Sequence, residues 1–353
     1  MKISFILPTL IKIPIGGVKV IYRHAEELTK FGHKVTIISP KRQGNNFYHL
    51  LKADAIRIRD FLHKVEDKPY YDTPSGVEHH IISFPLEKYI PDGDVIIATG
   101  WQTAYWVASF SAQKGTKFYF LQNFETYQGN EKKIKHTWKL PLKKIVISKW
   151  LMQTAKKMDE IAYGPIPNAI DPNEFYLTSP IDNRTPQISM LYHRLPIKGS
   201  REGLIALERL KKSNQNLKAI IFTSRTPKIS IPNWIKLAIR PNLEQLREIY
   251  NSTSIFLHTS HQEGWGLCPM EALACGCAVV ATANEGIKEY IIHNETGLLN
   301  PIGDVDGIIK NTQYLLDNPM ERVQIASMGK ERINKFSWIK STKQLEKILT
   351  KAI

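Results

Sequence analysis

Cysteine is scarce in this sequence, with three among 353 residues, at Cys268, Cys275 and Cys277. A disulfide scaffold is therefore excluded, and a reducing compartment, the cytoplasm, is predicted. No Cys or His lies at a spacing that would complete a tetrahedral metal site around them. No apolar run approaches the roughly 18–20 residues that span a bilayer. Repeats and low-complexity tracts are also absent, which argues against a solenoid or a disordered chain.

Acidic residues are also few relative to basic residues. The chain has 48 Lys and Arg against 33 Asp and Glu, a net charge of +15 with neutral histidine. Such a surplus favours an anionic partner and says nothing about fold. Residues 131–157 alone contain nine lysines and one glutamate, interleaved with Trp and Leu. We expect either a solvated basic face or a surface that rests on anionic lipid. Nucleic acid is not a predicted partner because no nucleic-acid-binding module is visible.

Short apolar runs alternate with amphipathic helical patterns along the chain. The first block opens with a strand, a helix and a strand at 2–7, 18–31 and 35–38. The alternation stops at the proline-rich stretch 163–172 and then restarts. Two successive blocks of this kind predict an α/β protein with two doubly wound domains and a cleft between them. The predicted bounds are 1–165 and 166–335, with a final helix at 336–353 that packs back on the first domain.

The most informative segment runs from His258 to Thr282. A buried strand is predicted to end near Thr259, a loop with two glycines follows, and Pro269 suits the first turn of a helix. The free N–H groups at that helix start carry about half a positive charge and suit a phosphate. Glu263 in the loop and Glu271 in the predicted first turn could accept hydrogen bonds from vicinal hydroxyls. The alternative is a solvated loop glutamate and one that only complements the helix dipole.

The run Glu263-Gly-Trp-Gly-Leu-Cys-Pro-Met-Glu271 resembles the Glu-x7-Glu signature of the retaining GT-B glycosyltransferases of family 4. The similarity covers nearly the whole chain and is densest in the second half. The further matching stretches are 16–17, 147–150, 166–171, 284–291 and 294–300. The resemblance implies a GT-B fold, two Rossmann-like domains facing across a cleft, with the nucleotide sugar on the C-terminal domain and the acceptor on the N-terminal domain.

The resemblance also implies roles for single residues in donor binding. Glu271 matches the glutamate that binds the ribose, and Glu263 the one beside the transferred sugar. Arg194 and Lys198 match the pair that holds the diphosphate, although their spacing is one residue shorter than the common pattern. The remaining predicted donor-binding residues are glycines and loop residues that approach with their backbone: Gly16, Gly17, Gly264, Trp265, Gly266 and Leu267.

One position departs from the family. Many members carry a first-domain histidine near the reaction centre, whereas the comparable segment here, Phe120–Glu125, has none. Glu125 is the candidate that orients or deprotonates the acceptor hydroxyl, and a structural role for this loop carboxylate stays equally open. His24 lies on the apolar side of the first helix and is predicted to be packed in the core.

The implied reaction is retaining transfer from a nucleotide-diphosphate sugar to a glycan or lipid-linked acceptor, with no cofactor. Two cations on the diphosphate would make a metal unnecessary. We expect a role in cell-surface polysaccharide or glycoconjugate synthesis, in the cytoplasm or at the inner face of the membrane. The alternatives are a nucleotide-sugar epimerase of GT-B shape and a non-catalytic sugar-nucleotide or membrane-binding module.

Two competing motifs are weaker. Asp92-Gly-Asp94 has the form of a metal-binding Asp-x-Asp, but it precedes the predicted strand 95–98 instead of following one, so we predict a turn. The Gly-x-Gly-x-x-Gly dinucleotide pattern is absent, which disfavours a hydride-transfer enzyme.

Overall fold

The computed structural model describes residues 1–42, 68–126 and 129–353. The chain divides into two compact units, Met1–Pro167 with Trp338–Ile353, and Asn168–Ser337. Each unit contains one parallel sheet flanked by helices. The prediction of an α/β protein with two Rossmann-like, doubly wound domains is confirmed.

The first unit is built on a sheet whose described strands follow the order β3-β2-β1-β4-β5-β6-β7. These strands are β1 (Lys2–Ile6), β2 (Lys34–Pro40), β3 (Glu78–Ile82), β4 (Val95–Ala98), β5 (Thr116–Leu121), β6 (Lys143–Val146) and β7 (Ala162–Tyr163). Its first four described helices are α1 (Gly16–Lys30), α2 (Trp101–Ser109), α3 (Glu131–Thr137) and α4 (Lys149–Lys157). The central strands read as continuous apolar runs because helices cover both faces of a parallel sheet.

The second unit repeats this plan with the strand order β10-β9-β8-β11-β12-β13. Its strands are β8 (Gln187–Leu191), β9 (Lys218–Thr223), β10 (Ile235–Ile239), β11 (Ile255–His258), β12 (Ala278–Thr282) and β13 (Leu298–Asn300). Its helices are α5 (Ser200–Ser213), α6 (Leu243–Ser252), α7 (Leu267–Ala274), α8 (Val305–Asp317) and α9 (Pro319–Ile333). The strand order reverses next to β1 in the first sheet and next to β8 in the second. Ligands of such sheets bind at this switch point, beyond the carboxyl ends of the strands.

The last helix, α10 (Trp338–Thr350), belongs to the first unit and packs on α1. His24 of α1 is fully buried, and its Nδ1 lies 2.8 Å from Thr342 Oγ1. Its ring meets Phe120 and Trp338 edge-on. The prediction that His24 is a packed histidine is confirmed, and burial lowers its pKa to about 3. No helix in the described part of the chain has both the length and the apolar composition that crossing a membrane requires.

Two helices begin earlier than predicted. α1 includes Gly16 and Gly17, which the sequence indicated as loop, because the first N–H groups of a helix need no partner and glycine is tolerated there. α7 begins at Leu267, two residues before Pro269, because Gly266 adopts a left-handed conformation and caps it. Pro269 is then the third helical residue, where its missing N–H is still not needed.

Candidate active site

The carboxyl ends of β8 and β11 bring the second unit's predicted site residues together. These two strands pair in parallel register, so the connections that follow them leave the same edge of the sheet. The connection after β8 carries Arg194 and Lys198, and the connection after β11 carries Glu263 and leads into α7.

Lys198 and Glu263 form a close ion pair at this edge. Lys198 Nζ lies 2.7 Å from Glu263 Oε1, and the two side chains are 20% and 14% exposed. Burial alone would raise the pKa of Glu263, but the charge of Lys198, its hydrogen bond and the neighbouring His258 and Ser260 together outweigh burial, and the pKa lies below its usual value. Glu263 is therefore a carboxylate at neutral pH. The solvated-loop interpretation of this residue is wrong because its carboxylate is largely enclosed and paired.

His258 at the end of β11 faces the same carboxylate. Its Nε2 lies 3.7 Å from Glu263 Oε1, and burial lowers the pKa of His258 to about 4, so its ring is neutral at pH 7. Sequence reasoning did not single out this histidine as a site residue. Its only signal was its position at the carboxyl end of a predicted buried strand.

Arg194 does not join this pair. It is exposed, and its guanidinium donates through Nε and Nη2 to the carbonyl of Thr226, at 3.1 Å from Nε. The structure thus places Lys198 and Glu263 together but directs Arg194 to the connection that follows β9.

The loop before α7 is held by aromatic side chains. Trp265 is only 3% exposed, stacks on Tyr290 and donates from Nε1 to Met270 Sδ at 3.3 Å. The Tyr290 hydroxyl in turn donates to the Gly266 carbonyl at 2.5 Å. The Trp265 side chain is therefore part of the core, and only its backbone remains for the predicted donor contact. α7 has no side-chain cap and no acidic residue in its first turn.

Glu271 is the fifth residue of α7, so the prediction that it lies in the first turn is wrong, because the helix begins two residues earlier. Glu271 is 6% exposed, and its Oε2 accepts a hydrogen bond from the Tyr250 hydroxyl at 3.1 Å. Because Glu271 lies in the second turn and is deeply enclosed, it does not complement the helix dipole, whose effect is limited to the first turn. Tyr250, on α6, was missed because its position indicated only an apolar helix face.

The carboxyl edge of the first unit's sheet holds the other predicted residues. Gln122 Nε2 donates to the Gly17 carbonyl at 2.9 Å, which joins the start of α1 to the end of β5. Gly16 lies one residue further out, at the first position of α1.

Glu125 lies at the same edge and accepts a hydrogen bond from the backbone N–H of Trp101, at the start of α2, at 2.8 Å. The Tyr119 hydroxyl donates to it at 3.4 Å. Burial raises the pKa of Glu125 to about 7 against these hydrogen bonds, which favour the charged form. A carboxyl group with this pKa can exchange a proton at neutral pH.

Acidic and metal-ligating side chains are not clustered in the described ranges, where no group of three or more His, Cys, Asp and Glu could hold a metal ion. Asp92 pairs with Lys114 at 2.7 Å, and Asp94 accepts the backbone N–H of Lys2 at 2.7 Å. Both aspartates therefore make contacts within the fold, in an irregular segment with a bend at Asp94 just before β4.

Part of the basic segment 131–157 is used within the fold. Three of its interleaved apolar residues, Trp138, Leu142 and Leu151, are core residues, each less than 5% exposed. Lys144 is buried and pairs with Glu160 at 2.7 Å. The choice between a solvated basic face and a surface that rests on anionic lipid stays a prediction.

The backbone conformation and surroundings of Gly266 predict the effect of a substitution there on the free energy of unfolding. Its φ is +91°, and a Cβ built there would lie 2.6 Å from Ile287 Cδ1. Gly303 has a φ of +79° with nothing within 4 Å of such a Cβ, so it is a control for the backbone effect alone. We expect Gly303→Ala to cost about 1 kcal/mol of unfolding free energy, near the left-handed penalty, and Gly266→Ala to cost clearly more. Denaturant unfolding of both variants checks this, and equal losses would contradict it.

Comparisons with known proteins place this geometry in a class. The chain aligns over 99% of its length with a crystal structure of HepE from Anabaena in complex with UDP and glucose, with a TM-score of 0.75, 16% identity and 100% of that chain covered. It aligns equally far with sucrose-phosphate synthase from Thermosynechococcus elongatus, with a TM-score of 0.73, 15% identity and 98% of that chain covered. The fold is that of the GT-B glycosyltransferases.

A family model matches the second unit. Residues 179–332 match the model described as "Glycosyl transferases group 1". The capsular polysaccharide biosynthesis glycosyltransferase CapM of Staphylococcus aureus is 26% identical over 149 residues, 40% of this chain and 39% of CapM. A D-inositol 3-phosphate glycosyltransferase of Corynebacterium aurimucosum is 31% identical over 110 residues, 31% of this chain and 26% of that protein. The matched stretches thus span about a quarter to two fifths of these relatives.

Proposed function

We propose that this protein is a retaining, metal-independent glycosyltransferase that moves a sugar from a nucleotide-diphosphate sugar to a glycan or lipid-linked acceptor. The observation that carries the proposal is the Lys198–Glu263 pair at the β8/β11 switch point, beside the start of α7, which has no side-chain cap. The GT-B fold and the group 1 family match of the second unit support it.

The leaving group explains why a cation and a helix start belong together here. Breaking the bond between the anomeric carbon and the phosphate puts negative charge on the nucleoside diphosphate. Lys198 and the N–H groups that follow Gly266 are fixed donors that stabilise this charge as it forms. Arg194, on a flexible side chain at the same edge, is the second cation of the proposal. With both cations on the diphosphate, the reaction needs no divalent metal.

The two glutamates bind the remaining parts of the donor, the ribose and the transferred sugar. Glu271, oriented by Tyr250, accepts hydrogen bonds from the ribose hydroxyls, since an ionised carboxylate can take two such donors. Glu263 accepts hydrogen bonds from hydroxyl groups of the transferred sugar, after Lys198 has moved from Glu263 to the diphosphate. If the acceptor hydroxyl attacks the anomeric carbon from the face that the diphosphate leaves, the anomeric configuration is retained. The departing phosphate takes the proton of the acceptor hydroxyl.

In this proposal the first unit binds the acceptor. Gly16 and Gly17 let the backbone at the start of α1 approach the substrates, and Glu125 receives a hydrogen bond from the acceptor hydroxyl and positions its oxygen. The names of the relatives suggest the setting, since CapM is a capsular polysaccharide enzyme. We propose cell-surface polysaccharide or glycoconjugate synthesis, in the cytoplasm or at the inner face of the membrane.

A donor panel tests the function. UDP-, GDP-, ADP- and dTDP-sugars are added with and without a crude glycan or lipid-linked acceptor fraction, with UDP-glucose first because HepE was crystallised with it. Release of the nucleoside diphosphate that depends on acceptor and persists with chelator is expected. Conversion of the donor without acceptor would instead identify an epimerase. Binding without any release would identify a non-catalytic module, and loss of activity with chelator would contradict metal independence.

Glu125 gives the pH prediction. The raised pKa of about 7 means that the folded state binds a proton that the unfolded chain, with a carboxyl pKa near 4.3, releases. The free energy of unfolding contributed by Glu125 therefore falls as pH rises from about 4.5 to about 7 and is level above that.

Glu125→Gln removes this titration, so the variant should gain stability relative to the parent between pH 5 and pH 8. The exposed Glu131, whose pKa is lowered by Lys135, is the control, since Glu131→Gln should run parallel to the parent in this window. Denaturant midpoints at the two pH values measure the effect. Parallel profiles for Glu125→Gln and the parent would show that Glu125 does not titrate near neutrality.

A further inference from the structure

A histidine takes the place of an apolar residue at the end of β11. The other three residues of this strand, Ile255, Phe256 and Leu257, are apolar and buried, and His258 is only 6% exposed. Its Nε2 has no hydrogen-bond partner in the described part of the chain. A buried polar atom without a partner destabilises a fold, so this atom calls for a functional explanation.

The Glu263 carboxylate faces this atom. Glu263 Oε1 lies 3.7 Å from His258 Nε2 and 2.7 Å from Lys198 Nζ, so the same carboxylate oxygen has a cation and a neutral ring near it. A separation of 3.7 Å is too long for a hydrogen bond, whereas 2.7 Å is the length of a charge-assisted one. Lys198 therefore holds Glu263 in this state, and His258 lies next to the pair without a hydrogen bond to it.

The backbone around these three side chains is fixed by contacts between the connections that follow β8 and β11. His261 donates its backbone N–H to the Ile197 carbonyl at 2.8 Å. A Cβ built on Gly199, whose φ is +60°, would overlap the Thr259 carbonyl oxygen, so the two backbones touch at this glycine. A rearrangement of the cluster is thus confined to side chains, and that of Lys198 is long and flexible.

Binding of the donor changes the charges around His258. In the proposed function Lys198 leaves Glu263 for the diphosphate, and the enclosed carboxylate is then beside the histidine without its cation. Burial lowers the pKa of His258, the charge of Glu263 raises it and the charge of Lys198 lowers it. When Lys198 is paired with phosphate, its effect is removed and that of Glu263 stays, so the affinity of the ring for a proton increases.

We propose that His258 is the second partner of Glu263: when Lys198 engages the donor diphosphate, His258 takes up a proton from solvent and donates its Nε2–H to Glu263. Both ring nitrogens then carry a proton, and rotation of the two side chains closes the separation between them. The new pair keeps Glu263 ionised and oriented toward the hydroxyls of the transferred sugar. His258 is a positioning residue, since it acts on the sugar through Glu263. This inference rests on the proposed function and adds a proton to donor binding.

Two further titratable groups are affected by the charge of Glu263 but do not titrate near neutrality. Burial raises the pKa of the Cys268 thiol and that of the Tyr290 hydroxyl, and the charges of Glu263 and Glu271 raise both further. Both groups therefore stay protonated between pH 6 and pH 8.

Two other histidines at this edge supply matched controls. His193 follows β8, and its pKa is lowered by burial and by Lys198 and raised by Glu263. His261 follows β11, and its Nε2 lies 3.0 Å from Glu202 Oε1. Because either ring could exchange a proton when a diphosphate binds, both are substituted in parallel with His258.

Calorimetry at pH 7 measures the proton uptake. UDP-glucose, or the nucleotide sugar that the donor panel identifies, is titrated in PIPES and in ACES buffer, and the difference between the two binding enthalpies gives the protons taken up. A nucleotide sugar is used because its diphosphate, unlike a terminal phosphate with a pKa near 6, does not titrate near neutrality. The parent should take up about half to one proton per donor, and its Kd should rise between pH 6 and pH 8 by up to about tenfold per pH unit.

Two substitutions of His258 separate the proton from the hydrogen bond. His258→Gln keeps an N–H that reaches Glu263 but cannot titrate, so it should abolish the proton uptake and flatten the pH dependence of Kd while keeping most of the transfer rate. His258→Leu also removes the N–H and should lower kcat about tenfold or more, with a smaller effect on donor Kd, because Glu263 is no longer held beside the sugar.

The controls separate this role from a structural one. His193→Gln and His261→Gln should keep the proton uptake of the parent. Denaturant unfolding should find His258→Leu at least as stable as the parent, because the substitution removes a buried polar atom without a partner from an apolar strand. Circular dichroism of all four variants should match the parent.

Three results would overturn the inference. They are a parent that takes up no proton, uptake that persists in His258→Gln, which would place the proton on another group such as Glu263, and a His258→Leu enzyme with the kcat of the parent. If the parent transfers sugar but fails this test, only the role of His258 is wrong. If it binds no nucleotide sugar of the donor panel, the proposed function itself fails, and this inference with it.

Discussion

Lys198→Gln is expected to lower the rate of sugar transfer by about 10²–10³-fold, the usual effect of removing one fixed donor to a developing negative charge. Lys198 is the cation that the structure holds closest to Glu263, at 2.7 Å, and the proposal gives it the leaving diphosphate. The measurement is kcat with the best donor of the panel. Lys212→Gln, on the exposed face of α5, is the control and should leave kcat unchanged.

The same substitution should also destabilise the fold, because it leaves the enclosed Glu263 carboxylate without its cation, a loss of up to about 3 kcal/mol for a buried pair. The double variant Lys198→Gln with Glu263→Gln removes both charges and should recover most of the lost stability without recovering activity. This separates the two roles of the lysine. A Lys198→Gln enzyme that keeps its rate within threefold would show that the diphosphate is held elsewhere.

Glu271→Ala is expected to weaken binding of the nucleoside diphosphate by about 1–3 kcal/mol, or roughly fivefold to more than a hundredfold in Kd, through lost charge-assisted hydrogen bonds. Tyr250→Phe keeps the carboxylate but removes the hydroxyl that orients it, so its loss should be smaller. Calorimetry with UDP, or with the diphosphate that the panel identifies, measures both.

The control for this pair is Glu248→Ala on the exposed side of α6, which removes the same charge from the helix that carries Tyr250. Its Kd should equal that of the parent. The affinity of the Glu271→Gln variant for the nucleoside diphosphate should fall between those of the parent and the alanine variant, since an amide oxygen accepts hydrogen bonds without charge. Unchanged affinity in a folded Glu271→Ala protein would remove the ribose assignment.

The sequence was sufficient for the plan of the fold because buried parallel strands leave a strong signal. Strands such as Lys218–Thr223 and Ala278–Thr282 are continuous apolar runs, and the structure has them with these bounds. β10 and β13 were not predicted. β10 is an edge strand with a lysine and half-buried residues, and β13 has three residues, so neither produces a clear pattern.

The site was harder to predict because its partners lie far apart in sequence. The loop glycines and both glutamates could be found from one contiguous motif. The contacts that hold them could not be predicted, because Lys198 and Glu263 are 65 positions apart and Tyr290 and Gly266 are 24 apart. Lys198 itself was predicted, but as a partner of the diphosphate. Trp265 was predicted to contact the donor through its backbone, and the sequence did not show that its side chain packs in the core, where the large apolar ring is out of water.

Composition alone did not show which residues of the basic segment are buried. Its lysines are interleaved with Trp and Leu, and of these Trp138 and Leu142 are core residues of the first unit. Only the three-dimensional arrangement separates lysines that are paired, such as Lys144, from those at the carboxyl edge, such as Lys132.

A crystal structure of the protein with UDP tests the central claim most directly. The account predicts the diphosphate within hydrogen-bond distance of Lys198 Nζ and of the backbone N–H groups at the start of α7, with the ribose hydroxyls on Glu271. A nucleotide bound elsewhere, with Lys198 still paired to Glu263 and Glu271 out of reach of the ribose, would contradict it.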